Sequence, residues 1–507
     1  MRLVAGLDVG TTAVKAGVVA EDGRLISVAA EEYALDHPAP DRAELDAGTY
    51  WIAARAALRR ALAAPEVDPA AVVAIGVSSQ GETVVPVDVS GRTVGPALVW
   101  LDNRAVAEAR IVEERLGEAT VYDATGVPTV IPTWTACKIL WLRRNEPEVF
   151  AAARRFLLVE DFAIHRLTGR FVSEGGVACS SLLYDIRRDA WWEPMLDVVG
   201  IDADRLPELI RPGGVAGALT PAAAAELGLR PGVAVVAGGM DQGAGAVGVG
   251  NVSPGIVSES TGGALTVQAS VDRHGLDPSR RTPVYVHSAP GRYLYCPVCP
   301  TGGMALTWFR DRFGGEEVAR AAADGTDAYD LLTAQAAAVP AGAEGLTFLP
   351  HLMGAFSPEY EPDARGAVYG LTLRHGKGHM VRAILEGVAF MLRRNLELLE
   401  VAGAPATEIR SHGGGARSAL WNGIKASVCD RPVVTLEGEN AAIRGDAMLA
   451  GVATGVFADL DAAVAAAVSA RDRYLPDPRL RAAYDEAYRR YVTYFDAVRP
   501  MFAAEPD

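Results

Sequence analysis

The chain has 507 residues, and 63 acidic side chains outnumber 48 basic ones to give a formal net charge of −15. Half of the residues are hydrophobic and 22% are charged, which is typical of a globular protein of two large domains or three small ones. This acidic balance, without a Lys/Arg block or an apolar run that could span a bilayer, argues against nucleic acid and membrane partners. An aspartate at position 8 interrupts the apolar stretch that a signal peptide would need, so we expect a cytoplasmic protein.

Cysteine usage agrees with that location, because five thinly spread cysteines do not form a disulfide framework. Cys296 and Cys299 make a CxxC pair, but no second pair with zinc-ligand spacing lies nearby. The pair also follows a Tyr-rich strand instead of opening a βαβ unit, which disfavours a redox role. We expect ordinary structural thiols at Cys137, Cys179, Cys296, Cys299 and Cys429.

The first half of the chain alternates predicted strands and helices. Strands are predicted over residues 3–8, 14–20, 25–33, 72–77 and 233–237. Helices are predicted over residues 49–64, 135–144, 148–156 and 162–168.

Near residue 250 the pattern restarts with a second hairpin, which echoes the first at a spacing of about half the chain. Its strands are predicted at 256–259 and 264–267. Helices follow at 305–313, 329–338, 380–401 and 419–429, with a polar surface helix over 478–494. The repeat predicts an α/β protein of two domains, 1–250 and 251–507, with the functional site in the cleft between them.

The tip of the first hairpin has the chemistry of a phosphate-binding turn. Gly10 allows a tight turn whose backbone N–H groups form an anion-binding nest, and Thr11, Thr12 and Lys15 add donors and positive charge. Asp8, at the end of a buried strand, suits a hydrated Mg²⁺. An ordinary hairpin in which threonine caps its own backbone remains open for this turn alone.

Two further glycine-rich turns have similar chemistry. Residues 258–264 form the tip of the second hairpin, and residues 413–415 lie between a short strand and a helix whose N-terminus favours anions. Residues 243–248 match GxGxxG literally, but Glu259 follows eleven residues later, too soon for a Rossmann unit, which places its acidic residue roughly 20 residues on. Gly378 follows Gly376-Lys377 where a Walker A loop needs Ser or Thr.

Asp241 is the candidate general base. It follows the strand predicted at 233–237 in a glycine-flanked turn, where a carboxylate has no packing use, and such a group can remove a proton from a substrate hydroxyl. A helix N-cap at the start of residues 242–248 is the alternative.

These motifs occur in one order along the chain, and the ordered set is more specific than any member. The set is Asp8-x-Gly-Thr-Thr-x-x-Lys15, Gly238-Gly239-Met240-Asp241-Gln242, 260–263, Gly302-Gly303 with Trp308, 350–354, 363–366, 385–390 and 413–418. From about residue 3 to 457 the chain resembles the FGGY carbohydrate kinases, which include xylulokinases and glycerol kinases.

The resemblance implies two ribonuclease-H/actin-like α/β domains that flank a catalytic cleft and close on a sugar and Mg·ATP. Asp241 would be the general base, Asp8 would order Mg²⁺, and Thr11, Thr12 and Lys15 would lie near the β- and γ-phosphates. Further nucleotide-binding residues would be Thr261, Gly262, Gly263, Gly303 and Thr307, with Gly414, Gly415 and Ser418 around adenine. Substrate-binding residues would be Gln80, Gly81, Glu82, Trp100, Asp102 and Gln242.

Two positions depart from the family pattern. Gly81-Glu82 stands where glycerol kinases have Arg-Glu and typical xylulokinases have Met-His, so Gly81 is expected to leave room for a larger polyol. Gly263 stands where many relatives have threonine, which removes one hydroxyl donor from the phosphate turn.

The expected activity is transfer of the γ-phosphate of ATP to a hydroxyl of a small ketose, first of all a ketopentose, as in xylulokinases. A polyol kinase of the glycerol or erythritol type is the alternative, followed by a catalytically weak, sugar-sensing protein of the same fold. The expected partner is a small sugar or polyol, and a homodimer stays open.

Overall fold

A hairpin begins each half of the chain, and each hairpin is built into a sheet of its own. The computed structural model describes residues 1–275 and 277–502. Strands of the first half are β1 (Leu3–Val9), β2 (Ala13–Ala20), β3 (Leu25–Glu32), β4 (Glu44–Leu45), β5 (Val72–Ser79), β6 (Val85–Val87), β7 (Ala97–Leu98), β8 (Arg155–Leu157), β9 (Val172–Glu174), β10 (Tyr184–Asp185), β11 (Ala190–Trp191), β12 (Glu208–Ile210), β13 (Val215–Ala218) and β14 (Ala234–Met240). Its helices are α1 (Gly48–Leu62), α2 (Val106–Leu116), α3 (Glu118–Thr125), α4 (Thr135–Asn145), α5 (Pro147–Ala152), α6 (Val159–Thr168), α7 (Gly175–Ala178), α8 (Glu193–Val199), α9 (Pro221–Leu227) and α10 (Asp241–Gly248).

The second half is richer in helix. Its strands are β15 (Ile256–Thr261), β16 (Leu265–Val271), β17 (Val284–Val286), β18 (Tyr293–Tyr295), β19 (Val298–Cys299), β20 (Thr347–Leu349), β21 (Ala367–Tyr369), β22 (Glu408–His412), β23 (Val433–Leu436) and β24 (Ala470–Tyr474). Its helices are α11 (Met304–Phe313), α12 (Gly315–Asp324), α13 (Ala328–Ala337), α14 (Lys377–Val401), α15 (Ala419–Cys429), α16 (Ala441–Ala453), α17 (Leu460–Ala467) and α18 (Arg481–Phe502).

The two main sheets repeat one arrangement. The first sheet has the strand order β13-β14-β5-β1-β2-β3. Strand β5 lies between β14 and β1 and is parallel to both, whereas β1 and β2 form an antiparallel hairpin. The second has the order β17-β18-β16-β15-β22-β23-β24, with β19 also on β16, an antiparallel β15–β16 hairpin, and β15 and β23 parallel to β22. The duplicated pattern confirms the predicted α/β architecture with two actin-like halves.

Helix α16 belongs to the second half of the chain but packs on the first sheet. Its side chains Ala447 and Ala450 share a core cluster with Val4, and glycines let its backbone approach closely. A Cβ atom on Gly6 would lie 2.2 Å from the Ile443 carbonyl oxygen. Helices α10 and α16, which also contact each other, therefore join the two halves.

Two predicted elements are wrong in part. The helix predicted over 148–156 ends at Ala152, and Phe156 lies in β8, where it pairs with Pro86 of β6. A short apolar run does not distinguish a helix from a buried strand. Helix α18 is not simply a surface helix, since it buries an aromatic face formed by Tyr484, Tyr488, Tyr491 and Phe495.

All five cysteines are buried and unpaired, as expected of structural thiols. Burial raises the pKa of the Cys296 and Cys299 thiols to about 12, so neither is a reactive thiolate.

Within residues 1–275 and 277–502, none of the helices combines the length and apolar character needed to cross a bilayer.

Candidate active site

Three parallel strands bring the predicted catalytic and substrate residues to one edge of the first sheet. Asp8 lies near the end of β1, Gln80 directly follows β5, and Asp241 directly follows β14. The register places Asp8 opposite Ser78, and Met240 opposite Ser79. Because the carboxyl ends of parallel strands meet at the same edge, this edge is the natural position of a site.

Asp8 has a buried carboxyl group that is not fully hydrogen-bonded within the described part of the protein. Its Oδ1 atom is buried and has no hydrogen-bond partner in the part of the chain that the structure describes. Burial and the negative charge of Asp241 raise the pKa of Asp8 to about 7, and Lys15, its register partner on β2, lowers it. An unpartnered carboxylate oxygen beside a second carboxylate fits a hard cation such as Mg²⁺.

Asp241 is the first residue of α10 and not its N-cap, which is Met240. Its Oδ1 accepts a hydrogen bond from the Gln242 N–H at 2.7 Å, so part of its hydrogen-bonding capacity remains for a ligand. Burial raises the pKa of Asp241 to about 6, close to the range that suits a general base at neutral pH.

Asp446 is a third carboxyl group at this edge that the sequence did not reveal. It comes from α16, is fully buried, and accepts a hydrogen bond from Ser78 Oγ at 2.9 Å. Its Oδ1 atom has no partner among the described residues. Burial and the charges of Asp8 and Asp241 hold the pKa of Asp446 well above the usual range, against the lowering effect of the Ser78 hydrogen bond.

Glu82 follows β5 by three residues, close enough to Asp241 to feel its charge, and its backbone has a φ of +55°. Its main-chain oxygen accepts hydrogen bonds from Thr135 Oγ1 at 2.9 Å and from Lys138 Nζ at 3.4 Å. Burial raises the pKa of Glu82 to about 7, against the lowering effect of Lys138, and Asp241 raises it further. Near neutral pH the carboxyl group can therefore both accept and donate hydrogen bonds.

The space beside Gly81 is not open, which corrects the expectation of extra room for a polyol. A Cβ atom at this position would lie 2.7 Å from Ser180 Oγ and 3.0 Å from Met240 Sδ. The protein itself fills the volume that a side chain would occupy, since Ser180 Oγ also accepts a hydrogen bond from the Glu82 N–H.

The side chains of Gln80 and Trp100 donate hydrogen bonds to the tip of the first hairpin. The Gln80 amide donates to the Gly10 carbonyl and to Tyr50 Oη, each at 3.1 Å. The Trp100 indole donates to Thr11 Oγ1 at 2.8 Å. These contacts join the predicted substrate residues to the predicted phosphate turn.

The remaining two predicted substrate residues have protein partners. Asp102 is fully buried and binds Arg104 Nε at 2.8 Å and the Ala43 N–H at 2.8 Å, so its oxygens are satisfied within the fold. The Gln242 side chain accepts a hydrogen bond from Gln268 Nε2 at 3.1 Å. Gln242 is half-buried and keeps its amide donors for other partners.

Eight predicted nucleotide residues from the second half line one cavity of about 430 Å³. They are Thr261, Gly262, Gly263, Gly303, Thr307, Gly414, Gly415 and Ser418. Met304, Leu306, Tyr329 and Trp421 add apolar and aromatic surface that sequence reasoning did not single out. A cavity of this kind suits a flat heterocycle with polar groups at one end.

A neighbouring cavity of about 420 Å³ is lined by Asp8, Lys15, His412 and Gly413, and it shares Gly414 with the first. The two cavities lead from the second half of the chain towards the first hairpin. Thr12 and Lys15 are exposed at that hairpin, where they are accessible to a ligand. Residues at or beside the three glycine-rich turns therefore line two neighbouring cavities that share Gly414 and Arg417.

Two family models together match most of the chain. Residues 3–248 match the N-terminal domain of the FGGY family of carbohydrate kinases, and residues 265–454 match its C-terminal domain.

Individual relatives agree with these matches. The chain is 30% identical to a xylulose kinase of Lactococcus lactis over 96% of this chain and 95% of that protein. It is 29% identical to a gluconokinase of Bacillus subtilis over 90% of this chain and 88% of that protein. The crystal structure of a xylulose kinase from Rhodospirillum rubrum superimposes with a TM-score of 0.91 at 30% identity, covering 99% of this chain and 100% of that one.

Proposed function

Because this chain belongs to the FGGY family of carbohydrate kinases and is an ATP-dependent sugar kinase, we propose that its acceptor is a small neutral ketose, first of all a ketopentose such as xylulose. The single observation that carries the proposal is the group of carboxyls at one sheet edge, where the charge of Asp241 acts on both Asp8 and Glu82 and where Asp8 lines a cavity. Relatives named xylulose kinases cover almost the whole chain and support this choice of sugar.

The charge of the site favours a neutral acceptor over a sugar acid. Three carboxyl groups surround the acceptor side, and the negative charge of Asp241 adds to burial in raising the pKa of Asp8 and Glu82. The nearby Lys138 Nζ donates to the main-chain oxygens of Val99 at 2.7 Å and of Glu82 at 3.4 Å, so two of its hydrogen bonds are used within the protein. An aldonate would meet the negative charge of Asp241 and the partly ionised Glu82, whereas ketose hydroxyls can hydrogen-bond to both groups.

In the proposed mechanism Asp241 accepts the proton of the attacking hydroxyl, and Glu82 orients the neighbouring hydroxyls. Thr11, Thr12 and Lys15 would hold the β- and γ-phosphates, and Asp8, whose Oδ1 has no partner among the described residues, would hold Mg²⁺. When bound, Mg²⁺ supplies charge neutralisation on the phosphates. Positioning and electrostatics are the main contributions, as in other phosphoryl transfers.

A polyol kinase is the second candidate, because Glu82 retains the acidic side chain that glycerol kinases have at this position. A glycerol-like acceptor presents the same hydroxyl groups to Glu82 and Asp241 but fills less of the site.

The test is a coupled assay of ADP release at saturating Mg·ATP over ketopentoses, ketohexoses, glycerol, erythritol and gluconate. We expect the largest kcat/KM with a ketopentose and none above background with gluconate. Preference for glycerol or erythritol would replace the ketose proposal by the polyol one. Gluconate as the best acceptor would contradict the charge argument, and no stimulation by any acceptor would contradict both candidates.

Five buried, unpaired thiols fit a reducing compartment, so we also propose the cytoplasm as the location of the enzyme.

A further inference from the structure

A fully buried ion pair lies beside the predicted phosphate turn of the second half. Glu259 on β15 and Lys425 on α15 meet at 2.7 Å between Oε1 and Nζ, and both side chains are 0% exposed. Burial alone would raise the pKa of Glu259, but Lys425 and hydrogen bonds hold it below the usual range, so the carboxylate is ionised. Well-packed apolar residues of similar volume would stabilise the core at least as well as this desolvated ion pair, so stability alone does not explain the two charges.

The hydroxyl of Thr261 is the third member of the cluster. Thr261 Oγ1 donates to Glu259 Oε2 at 2.7 Å and accepts from Lys425 Nζ at 2.8 Å. A threonine hydroxyl has one proton, and here that proton is used inside the protein. The Gly262 N–H is also used inside the protein, since it donates to the Ala264 carbonyl at 3.0 Å. A hydrogen bond from residues 261–263 to a phosphate would therefore come from the main-chain N–H of Gly263, whose placement depends on how the turn is held.

The same cluster holds the opposite wall of the nucleotide cavity. Ser411, at the end of β22, donates its hydroxyl to Glu259 Oε1, and β22 leads directly into the glycine loop at 413–415. That loop packs against the phosphate turn so closely that a Cβ on Gly415 would lie 2.6 Å from the Cβ of Thr261.

Lys425 also reaches a residue of the cavity lining. Its ammonium group lies 5.1 Å from the ring centroid of Trp421, one turn earlier on α15. One pair of charges thus contacts the phosphate turn, the strand before the glycine loop, and an aromatic wall residue.

We propose that the Glu259–Lys425 pair is a positioning element for the nucleotide, which fixes the phosphate turn at 261–263 against the glycine loop at 413–415 before the nucleotide binds. This inference rests on the proposed function insofar as the 430 Å³ cavity takes ATP. Neither residue contacts the acceptor side, so the pair affects nucleotide binding and not the choice of sugar. A preorganised site loses less conformational freedom on binding than a loose one.

The main test is the double variant Glu259→Leu/Lys425→Met, which removes both charges together because removal of one would leave the other buried and unpaired. We expect KM for ATP and Kd for Mg·ADP to rise about tenfold, while kcat and KM for the ketose stay within about twofold of wild type. Calorimetric titration with Mg·ADP measures Kd without turnover, and the melting temperature reports whether the variant is folded.

Two controls separate positioning from general loosening. The variant Arg382→Met/Glu386→Leu removes another buried pair of the same half, which bonds to Tyr484 and the Gly342 N–H instead of the turn, and we expect KM for ATP to be unchanged. Thr261→Val should repeat part of the loss, and Thr261→Ser, which keeps the hydroxyl, should restore wild-type binding.

An unchanged Kd for Mg·ADP in a folded Glu259→Leu/Lys425→Met variant overturns the inference, as does an equal rise of KM for ATP and ketose. If the wild type binds Mg·ADP but phosphorylates none of the acceptors, the proposed function fails while a weakened Kd in the variant still supports the positioning role. If the wild type binds no Mg·ADP, both are overturned.

Discussion

At the scale of single residues, Asp241 and Asp8 lie at one sheet edge but have different surroundings. Asp241 starts a helix and accepts one hydrogen bond from the Gln242 N–H, whereas Asp8 has a buried oxygen without a described partner. The first arrangement suits a group that takes up a proton, and the second suits a group that holds a cation.

The pH dependence of the reaction should follow Asp241. Burial raises the pKa of this carboxyl to about 6, and only its deprotonated form can accept the hydroxyl proton. We therefore expect kcat/KM for the ketose to fall about tenfold per pH unit below this pKa. Steady-state rates between pH 5 and 8 at saturating Mg·ATP would measure the profile.

The matched control is Asp241→Asn, which keeps the size of the side chain but cannot accept the proton. Its turnover should be lower by roughly 10²–10⁴-fold, while Mg·ADP binding is retained. The pH profile of the remaining rate should lack the fall at low pH that protonation of Asp241 causes in the wild type. Turnover close to wild type would show that Asp241 is not the base.

At the scale of elements, the crossing of α10 and α16 links the sheet edge that carries Asp8 and Asp241 to the second half of the chain. Gly248 and Gly445 let the two backbones touch, since a Cβ on Gly445 would lie 1.9 Å from the Ala244 carbonyl oxygen. Helix α10 begins with Asp241, and α16 carries Asp446, so this crossing also sets the position of two carboxyl groups.

We expect Gly445→Ala to destabilise the protein by about 1–3 kcal/mol, because its methyl group would force the two helices apart. Gly245→Ala on α10 is the matched control, since no atom lies within 4 Å of a Cβ at that position and alanine has the higher helix propensity. Melting temperatures of both variants would test the crossing. Equal melting temperatures would mean that the helices can separate without cost.

Elements with strong local signals could be predicted from the sequence. Both hairpins were expected within a few residues of their bounds, because turns at 10–12 and 260–263 separate apolar runs. The helix at 148–156 was wrong beyond Ala152, where an apolar run continues into β8 and periodicity cannot distinguish the two structures.

What could not be predicted depends on contacts between distant segments. Glu259 and Lys425 are separated by 166 residues, and a single charge within an apolar segment normally indicates solvent exposure. Asp446 reaches the catalytic edge only because α16 packs on the sheet of the other half. The crowding around Gly81 likewise follows from Ser180 and Met240, which no local pattern relates to it.

At the scale of the whole molecule, the net charge of −15 would by itself disfavour the binding of a polyanion. Around the cavity beside the first hairpin the balance is reversed, because the basic side chains of Lys15, Arg417, Arg444 and Arg471 line it against two acidic ones, Asp8 and Glu439. Local groups at short distance outweigh a diffuse surface charge, which salt screens over about 10 Å at 0.1 M.

The two halves should unfold as one unit even though each has its own sheet. Since α16 buries its face against β1, β5 and β14, unfolding of the first sheet would also expose a helix of the second half. A ligand of either half should therefore stabilise the entire chain, by about 2.7 kcal/mol at a hundred times its Kd. Scanning calorimetry with the ketose alone, Mg·ADP alone and both together should show one transition that moves upward in each case. Two transitions that each respond to a single ligand would mean that the contacts of α16 are too weak to couple the sheets.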